Sequence, residues 1–186
     1  MEKQYSLAIY PPEAIIVLIK AMKEQLATEV GWFHSKNSVG HITICEFKAT
    51  DSAIEIIKSQ INRLCDRLEP VEVCLNEFGS FPNGAFFIAP DNNSKNSLKR
   101  IMKRFHQSLH IQNMQKSDSP HLSIARKLSP ENLEKANRLF TTITITFVCD
   151  SVVLRQFDEN IKQFFVINTF YFKGNPESEL VQGTLF

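Results

Sequence analysis

The sequence predicts an α+β fold built of two similar lobes, and three observations support this. Helix-like and strand-like patterns mix without the regular alternation of βαβ units. Hydrophobic residues make up 43% of the 186-residue chain and include fifteen Phe, enough apolar area for a core. A strand pattern that reads His, apolar, hydroxyl, Ile occurs at 41–44 and again at 121–124. Each copy leads through a short loop into a capped helix, which suggests two related halves.

The first elements follow from proline, glycine and apolar spacing. The stretch SLAIY predicts a strand that stops at Pro11, and Pro12 opens a helix that Gly31 ends. HITICEF alternates with period two and predicts the next strand. The predicted apolar face of the first helix consists of Ile15, Leu18, Ile19, Met22 and Leu26.

A second helix is predicted to start near Asp51 and Ser52, where Glu55 is placed for a capping box. Its apolar stripe runs from Ile54 to Leu68, and Pro70 follows its end. VEVCLNEF and AFFIAP then predict a hairpin whose turn spans Gly79 to Gly84.

The rest of the chain contains two further helices and four strands. The polar stretch DNNSKN caps a third helix, and a polar loop leads into HLSIARKL, a strand. Ser129 followed by Pro130 starts a fourth helix. The β-rich remainder reads TITITFVCD, SVVLRQFD and QFFVINTFYF, and residues 174–186 are expected to form a loose tail or a short edge.

Composition narrows the class of protein. The 21 basic and 20 acidic residues leave a net charge of +1, so overall charge does not call for nucleic acid. The four Cys form no C-x-x-C pair, so structural zinc is not indicated, and buried thiols fit a reducing cytosol. The longest apolar run, AIIVLI, is too short to cross a bilayer. We therefore expect one domain over 1–186 in a cytoplasmic, monomeric protein that binds no membrane.

The repeated motif has a direct chemical interpretation. Residues i and i+2 of a strand share a face, so His41 lies beside Thr43 and His121 lies beside Ser123. If the two lobes face each other across a groove, two imidazoles meet at one point, each with a hydroxyl neighbour. One neutral His can accept a proton and one protonated His can donate one, as in-line cleavage of a phosphoester requires. The hydroxyls can donate to the phosphoryl oxygens, and the scheme requires no metal.

These residues resemble a known family over nearly the whole chain. SLAIYPP, HITICEF, FGSFPNGAFFIAP and PHLSIARKL are similar to segments of the two-histidine (2H) phosphoesterase superfamily, and within it of the 2'-5' RNA ligase and cyclic phosphodiesterase group. The resemblance implies a bilobal α+β fold with pseudo-two-fold symmetry, with antiparallel sheets around a central groove and helices outside. It implies catalytic roles for His41, Thr43, His121 and Ser123. Ser123 stands where Thr is commoner in the family, and it keeps the donor hydroxyl.

The activity implied is a cofactor-free, metal-independent phosphodiesterase that opens 2',3'-cyclic phosphates of RNA or nucleotides, with 2'-5' ligation as its reverse. Within that scheme the sequence-based hypothesis assigns His41 as general acid and His121 as general base. Two alternatives stay open. One is a nucleotide- or RNA-binding module that uses the same groove without turnover. The other is a phosphoesterase acting on a non-RNA cyclic phosphate such as an ADP-ribose derivative.

Four further residues are candidates for substrate binding. Phe81 and Phe86 offer rings for stacking on a base, although core packing is the simpler interpretation of a Phe-rich hairpin. His34 precedes the first motif, and Arg155 can bind phosphate. Arg126 alternates away from His121, so no direct role is expected for it.

Two further patterns have simpler interpretations. His106 and His110 have a metal-binding helical spacing but no third ligand. The third helix has a basic face, which could attract RNA phosphates but is more simply explained as a face exposed to solvent. The face comprises Lys95, Lys99, Arg100, Lys103 and Arg104.

Overall fold

A computed structural model of the chain describes residues 1–175. Within that range it contains four helices and nine strands. In chain order they are β1 (Lys3–Ile9), α1 (Glu13–Val30), β2 (Ile42–Ala49), α2 (Asp51–Arg67), β3 (Val71–Phe81), β4 (Ala85–Pro90), α3 (Asn92–Ser108), β5 (Gln115–Lys116), β6 (Leu122–Ala125), α4 (Pro130–Leu139), β7 (Ile145–Cys149), β8 (Ser151–Asp158) and β9 (Gln163–Tyr171).

The strands form two antiparallel sheets, so the α+β prediction is confirmed. One sheet has the order β5-β2-β1-β8-β9 and the other β6-β4-β3-β7. The two halves use the same local plan. In each, a strand leads through a long helix into a His-bearing strand that pairs antiparallel with it: β1, α1, β2 in one half and β4, α3, β6 in the other. The fold is therefore bilobal and pseudo-symmetric, as predicted.

The hydrophobic core sets the register of both His-bearing strands. Ile42 and Ile44 of β2 and Leu122 and Ile124 of β6 are completely buried. Burial of these four side chains stabilises each strand by several kcal/mol, at about 1.5–3 kcal/mol for each fully buried side chain of this size. A slip of one residue would exchange them for the His and hydroxyl side chains, so the core holds those side chains on the opposite face.

Helix α2 starts at Asp51, as the sequence predicts, but its cap differs from the predicted one. Thr50 is its N-cap, and its Oγ1 accepts a hydrogen bond from the Ala53 amide at 3.2 Å. The capping box predicted for Ser52 and Glu55 does not form, because β2 continues to Ala49 and the helix follows at once.

The buried face of α1 also differs. Leu18 is 43% exposed, whereas Lys23 is only 2% exposed and lies among Ile19, Met22 and Leu26. A periodicity count that treats every charged residue as exposed cannot find such a lysine.

The tail prediction is tested only at its start. The amides of Gly174 and Asn175 donate to the carbonyls of Leu68 and Asp66, both at 2.9 Å, so these two residues are bound to the end of α2 rather than loose. Residues 176–186 lie outside the described part. Within 1–175, none of the helices has the length and hydropathy needed to span a membrane.

Candidate active site

His41 and His121 occupy equivalent positions, each directly before the first residue of its strand. The Nδ1 atom of His41 lies 2.6 Å from the carbonyl oxygen of Val39, and Nδ1 of His121 lies 2.7 Å from that of Ser119. A carbonyl oxygen only accepts hydrogen bonds, so each Nδ1 carries the proton. In the neutral ring the lone pair is then on Nε2, which leaves that atom of both rings available for proton transfer.

The two motifs meet in one cavity of about 440 Å³, which we call the central groove. His41, Thr43, His121 and Ser123 all line it. The structure therefore brings together the four residues that the repeated motif singled out. The side chains are partly exposed, and the buried Ile and Leu residues of the same strands lie on the opposite face.

The surroundings of both imidazoles disfavour the protonated, positively charged form of the ring. Burial lowers the pKa of His41 to about 3, with a further decrease from the positive charge of Arg155, and the Val39 carbonyl opposes this only in part. Burial also lowers the pKa of His121, and the Arg126 charge adds to that effect, while the Ser119 carbonyl opposes it. Both shifts favour the neutral form of the ring.

Arg155 is the buried positive charge of the groove. It projects from β8, is 2% exposed, and donates from Nη2 to the Ser6 hydroxyl at 2.6 Å. Its guanidinium carbon lies 5.8 Å from the centre of the Tyr10 ring and 5.0 Å from that of Phe164. The Nε atom has no hydrogen-bond partner among residues 1–175. An incompletely paired buried cation lining a groove is well suited to an anionic ligand.

The hairpin phenylalanines divide into two groups. Phe81 lines the groove and stands edge-on to the His121 ring, 5.3 Å between centres. Phe86 is completely buried, and its ring stacks on those of Phe78 and Phe140 at 5.5 and 6.0 Å. The expectation that Phe86 contacts substrate is therefore corrected: its ring packs in the core, on the other face of β4 from the neighbouring Phe87, whose ring centre lies 4.9 Å from that of His121.

His34 lies outside the residues that line the groove. Its ring is exposed and packs edge-on against Trp32, with 5.0 Å between ring centres. Its backbone contributes instead, because the His34 carbonyl accepts a hydrogen bond from the Arg126 amide at 3.0 Å. This bridge joins the loop before the first motif to the end of β6.

Arg126 was expected to point away from His121, but it lines the groove. A β-bulge explains the difference. Ser123 pairs with Phe87 and Ala125 with Phe86, so Ile124 is an extra residue and the alternation shifts by one.

The same irregularity occurs in the other lobe. Thr43 pairs with Ala8 and Cys45 with Leu7, so Ile44 is the extra residue. As a result Glu46, at the position equivalent to Arg126, also lines the groove. Strict alternation could reveal neither residue. Tyr10, Phe157 and Phe164 also line the groove without having been predicted. Tyr10 directly follows β1, whereas Phe157 of β8 and Phe164 of β9 reach the groove through sheet pairing.

His106 and His110, whose spacing is that of a helical metal-binding pair, do not lie on the same helix. His106 is on α3 and its Nε2 lies 2.9 Å from the Ile44 carbonyl, whereas His110 follows the end of the helix. Residues 1–175 contain no group of three or more His, Cys, Asp or Glu side chains arranged to hold a metal ion.

A bilobal fold with two outward-facing His-x-Ser/Thr strands at one groove defines a two-histidine phosphoesterase-like protein. Residues 11–161 match the 2'-5' RNA ligase superfamily, and the chain belongs to that family. The family resemblance stated from the sequence is thereby confirmed.

Solved structures agree with this fold. TT0787 of Thermus thermophilus is 15% identical, with a TM-score of 0.66 over 93% of this chain and 100% of that chain. Escherichia coli LigT, solved with NADP+, is 11% identical, with a TM-score of 0.67 over 93% of this chain and 99% of its own. Usb1 of Kluyveromyces marxianus is 11% identical, with a TM-score of 0.54 over 82% of this chain and 93% of that chain. No curated protein sequence matches this chain significantly.

Proposed function

We propose that the protein is a metal-independent phosphodiesterase that opens 2',3'-cyclic phosphates of RNA or of nucleotides. The observation that carries this proposal is the pair of Nδ1-protonated imidazoles, each beside a hydroxyl, in one groove. Escherichia coli LigT, which shares the fold, has been solved with NADP+, 3'-AMP, phosphate and ATP. Those complexes support a ligand that carries a nucleotide phosphate.

The proposed reaction is an in-line displacement at phosphorus. Water attacks the cyclic phosphate, and the basic imidazole takes one of its protons at Nε2. The new P–O bond forms as the bond to one ribose oxygen breaks, and the second imidazole gives that oxygen a proton from Nε2. The products are a phosphate monoester and a free ribose hydroxyl. No metal is needed in this scheme, because the imidazoles carry out both proton transfers.

The pKa shifts favour one assignment of the two roles. A general acid must be protonated before reaction, and at pH 7 a group with a pKa of about 3 is protonated in only about one molecule in 10⁴. That penalty falls on His41, whereas His121 has the smaller decrease. We therefore assign His41 as general base and His121 as general acid, the reverse of the sequence-based hypothesis. The negative charge of a bound phosphate would help to protonate His121.

The remaining groove residues have electrostatic roles in this proposal. Thr43 and Ser123 donate from their hydroxyls to the non-bridging oxygens of the phosphoryl group, where negative charge develops. Arg155 and Arg126 supply positive charge from the two lobes. Phe81, edge-on to His121, lies where a base or ribose attached to the phosphate would pass. If the 5'-hydroxyl of an RNA end attacks the cyclic phosphate in place of water and the 3'-oxygen leaves with a proton, the product is a 2'-5' phosphodiester, which is ligation.

The test is incubation with nucleoside 2',3'-cyclic phosphates in EDTA, followed by chromatographic separation of the 2'- and 3'-monophosphates. We expect one isomer to dominate. Loss of a general acid or base costs about 10²–10⁴-fold, so His41→Ala and His121→Ala should each reduce the rate by that factor. His110→Ala is the matched control, because that side chain is exposed and outside the groove. Full activity in both His variants would refute the assignment.

The same assay separates the two alternatives. Nucleotide binding without product, even at high protein concentration, would identify a binding module. Turnover of a cyclic ADP-ribose phosphate with none of RNA or nucleoside cyclic phosphates would identify a non-RNA phosphoesterase.

A further inference from the structure

Lys23 is the most unusual charged residue outside the groove. It lies on α1 at 2% exposure, and burial lowers its pKa to about 8. A buried ammonium normally requires a carboxylate partner. Lys23 instead donates to the Ser35 carbonyl at 2.9 Å, to the Ser38 carbonyl at 2.7 Å and to the Ser38 hydroxyl at 3.0 Å. All three of its N–H donors are used, and all on one loop.

That loop, residues 31–40, joins α1 to β2 and ends directly before His41. It is tightly folded. Ser35 has a φ of 74°, the Ser38 amide donates to the Ser35 carbonyl at 3.1 Å, and the Ser38 hydroxyl donates to the same carbonyl at 2.8 Å. At Gly40 the chain passes so close to α1 that an added Cβ would lie 3.0 Å from the Ile19 side chain.

The loop contacts both halves of the groove. The Val39 carbonyl accepts the Nδ1 hydrogen bond of His41, which sets the tautomer of that ring. The Ser35 hydroxyl lies 3.4 Å from the Ile124 carbonyl, and the His34 carbonyl accepts from the Arg126 amide. Both of the latter contacts are to the strand that follows His121. Ser35, Ser38 and Val39 themselves line the groove.

We propose that Lys23 is a positioning residue for the catalytic pair: its ammonium holds the loop that sets the tautomer of His41 and ties the first motif to the strand of the second. Lys23 does not line the groove, so it acts through the loop and not on the substrate. Its charge carries an energetic cost that a Met at the same place would avoid. A purely structural role would therefore not require an ammonium at this position.

The test compares Lys23→Met with Lys20→Met. Met keeps the length of the side chain and removes the donors, and Lys20 is an exposed lysine of the same helix whose Nζ lies 4.0 Å from Glu24. The first readout is the 15N NMR signal of the His41 ring in ligand-free protein. We expect a single Nδ1-protonated form in the wild type and in Lys20→Met, and a mixture of tautomers in Lys23→Met.

The second readout is kinetic, and it rests on the proposed function. Misplacement of a catalytic group costs about 10–100-fold, so we expect kcat of Lys23→Met to fall by that factor with little change in KM. Ser38→Ala removes one of the three acceptors of the Lys23 ammonium. It should change the tautomer and kcat in the same direction as Lys23→Met, by a smaller amount. It also decides the question if Lys23→Met does not fold.

An unchanged His41 tautomer in these variants would overturn the inference. So would a kcat of folded Lys23→Met equal to that of Lys20→Met. The tautomer is measured without substrate. If the wild type shows no phosphodiesterase activity, the proposed function fails and the NMR result still tests the role of Lys23.

Discussion

His41 and His121 make the same hydrogen bond from the same ring atom, each to the carbonyl two residues earlier in the chain, at 2.6 and 2.7 Å. The two rings nevertheless differ in electrostatics, because Arg155 is the main charge acting on His41 and Arg126 is the one acting on His121. The hydrogen-bond geometry of the two rings is thus the same, whereas the charged groups around them differ. In the mechanism that we propose, the low pKa of His41, which is caused mainly by burial and further by Arg155, divides the acid and base roles between the two residues.

The division of roles can be tested with a leaving group that departs without a proton. A p-nitrophenyl phosphodiester needs a general base for water but no general acid. We therefore expect His121→Ala to retain much more activity on that substrate than on a 2',3'-cyclic phosphate, measured as the ratio of the two kcat/KM values.

His41→Ala is the matched comparison, and it should lose about 10²–10⁴-fold on both substrates. If His41→Ala were the variant rescued by the activated leaving group, the roles would be those of the sequence-based hypothesis.

Arg155→Met should raise the pKa of His41, because it removes the positive charge that opposes protonation of that ring. The pKa should remain below its ordinary value, since burial is the larger cause. Titration of the His41 ring protons by NMR measures the change, and KM for the cyclic phosphate should increase. Arg138→Met is the control, as Arg138 is an exposed residue of α4. An equal shift in both variants would contradict the assignment of Arg155.

The two groove hydroxyls should contribute to kcat more than to KM, because negative charge on the phosphoryl oxygens increases in the transition state. Loss of one such donor typically costs about 10²–10³-fold. We expect that effect from Thr43→Val, which keeps the shape of the side chain, and from Ser123→Ala. Ser123→Thr keeps a hydroxyl and should stay close to the wild type. A rate unaffected by either loss would remove the hydroxyls from the mechanism.

Gly84 in the β3–β4 turn should be intolerant of a side chain. Its φ is +77°, and an added Cβ would overlap the Leu128 carbonyl oxygen and lie 2.7 Å from the Leu128 amide nitrogen. Gly31→Ala is the matched control, since Gly31 has a φ of +75° with open space around it. Gly31 also has a ψ of −153°, a backbone region that is essentially restricted to Gly. We expect Gly31→Ala to cost only that conformational penalty, about 1–3 kcal/mol, and Gly84→Ala to cost clearly more in urea unfolding. Equal losses would show that the contact with Leu128 is readily relieved.

The lowered pKa of Lys23 leads us to expect an unusual pH dependence of stability. Its pKa is about 8 in the folded state and 10.5 when unperturbed, so between these values the unfolded chain binds the additional proton. Stability from this group is therefore lost as the pH falls through 8 and is fully present above 10.5. The free energy of unfolding should rise with pH in that window, by up to about 1.4 kcal/mol per pH unit.

The measurement is the difference in unfolding free energy between the wild type and Lys23→Met at several pH values. Taking the difference removes the opposite contribution of the buried thiols, whose pKa values are raised. Parallel curves for the two proteins would contradict the low pKa of Lys23.

Much of the fold could be predicted because its signals are local. Apolar spacing identified all four helices, and proline and glycine placed the ends of α1. Alternation located every strand except β5, which has two residues and forms only by pairing with β2. The start of α2 at Asp51 was also predicted, but its cap is Thr50 and not Ser52, because β2 runs to Ala49 and the helix follows without a loop.

For the site, the sequence by itself determined the two motifs and the face on which their His and hydroxyl side chains lie. Buried Ile and Leu residues leave no other register, and that constraint is readable from alternation alone. Only the tertiary structure decided which other groups join them. Glu46 and Arg126 reach the groove through matching bulges, and a bulge is a property of pairing between strands. Phe86 is not in the site because its ring packs against Phe78 and Phe140 in the core. Lys23 and Arg155 owe their roles to burial, which depends on segments distant in sequence folding around them.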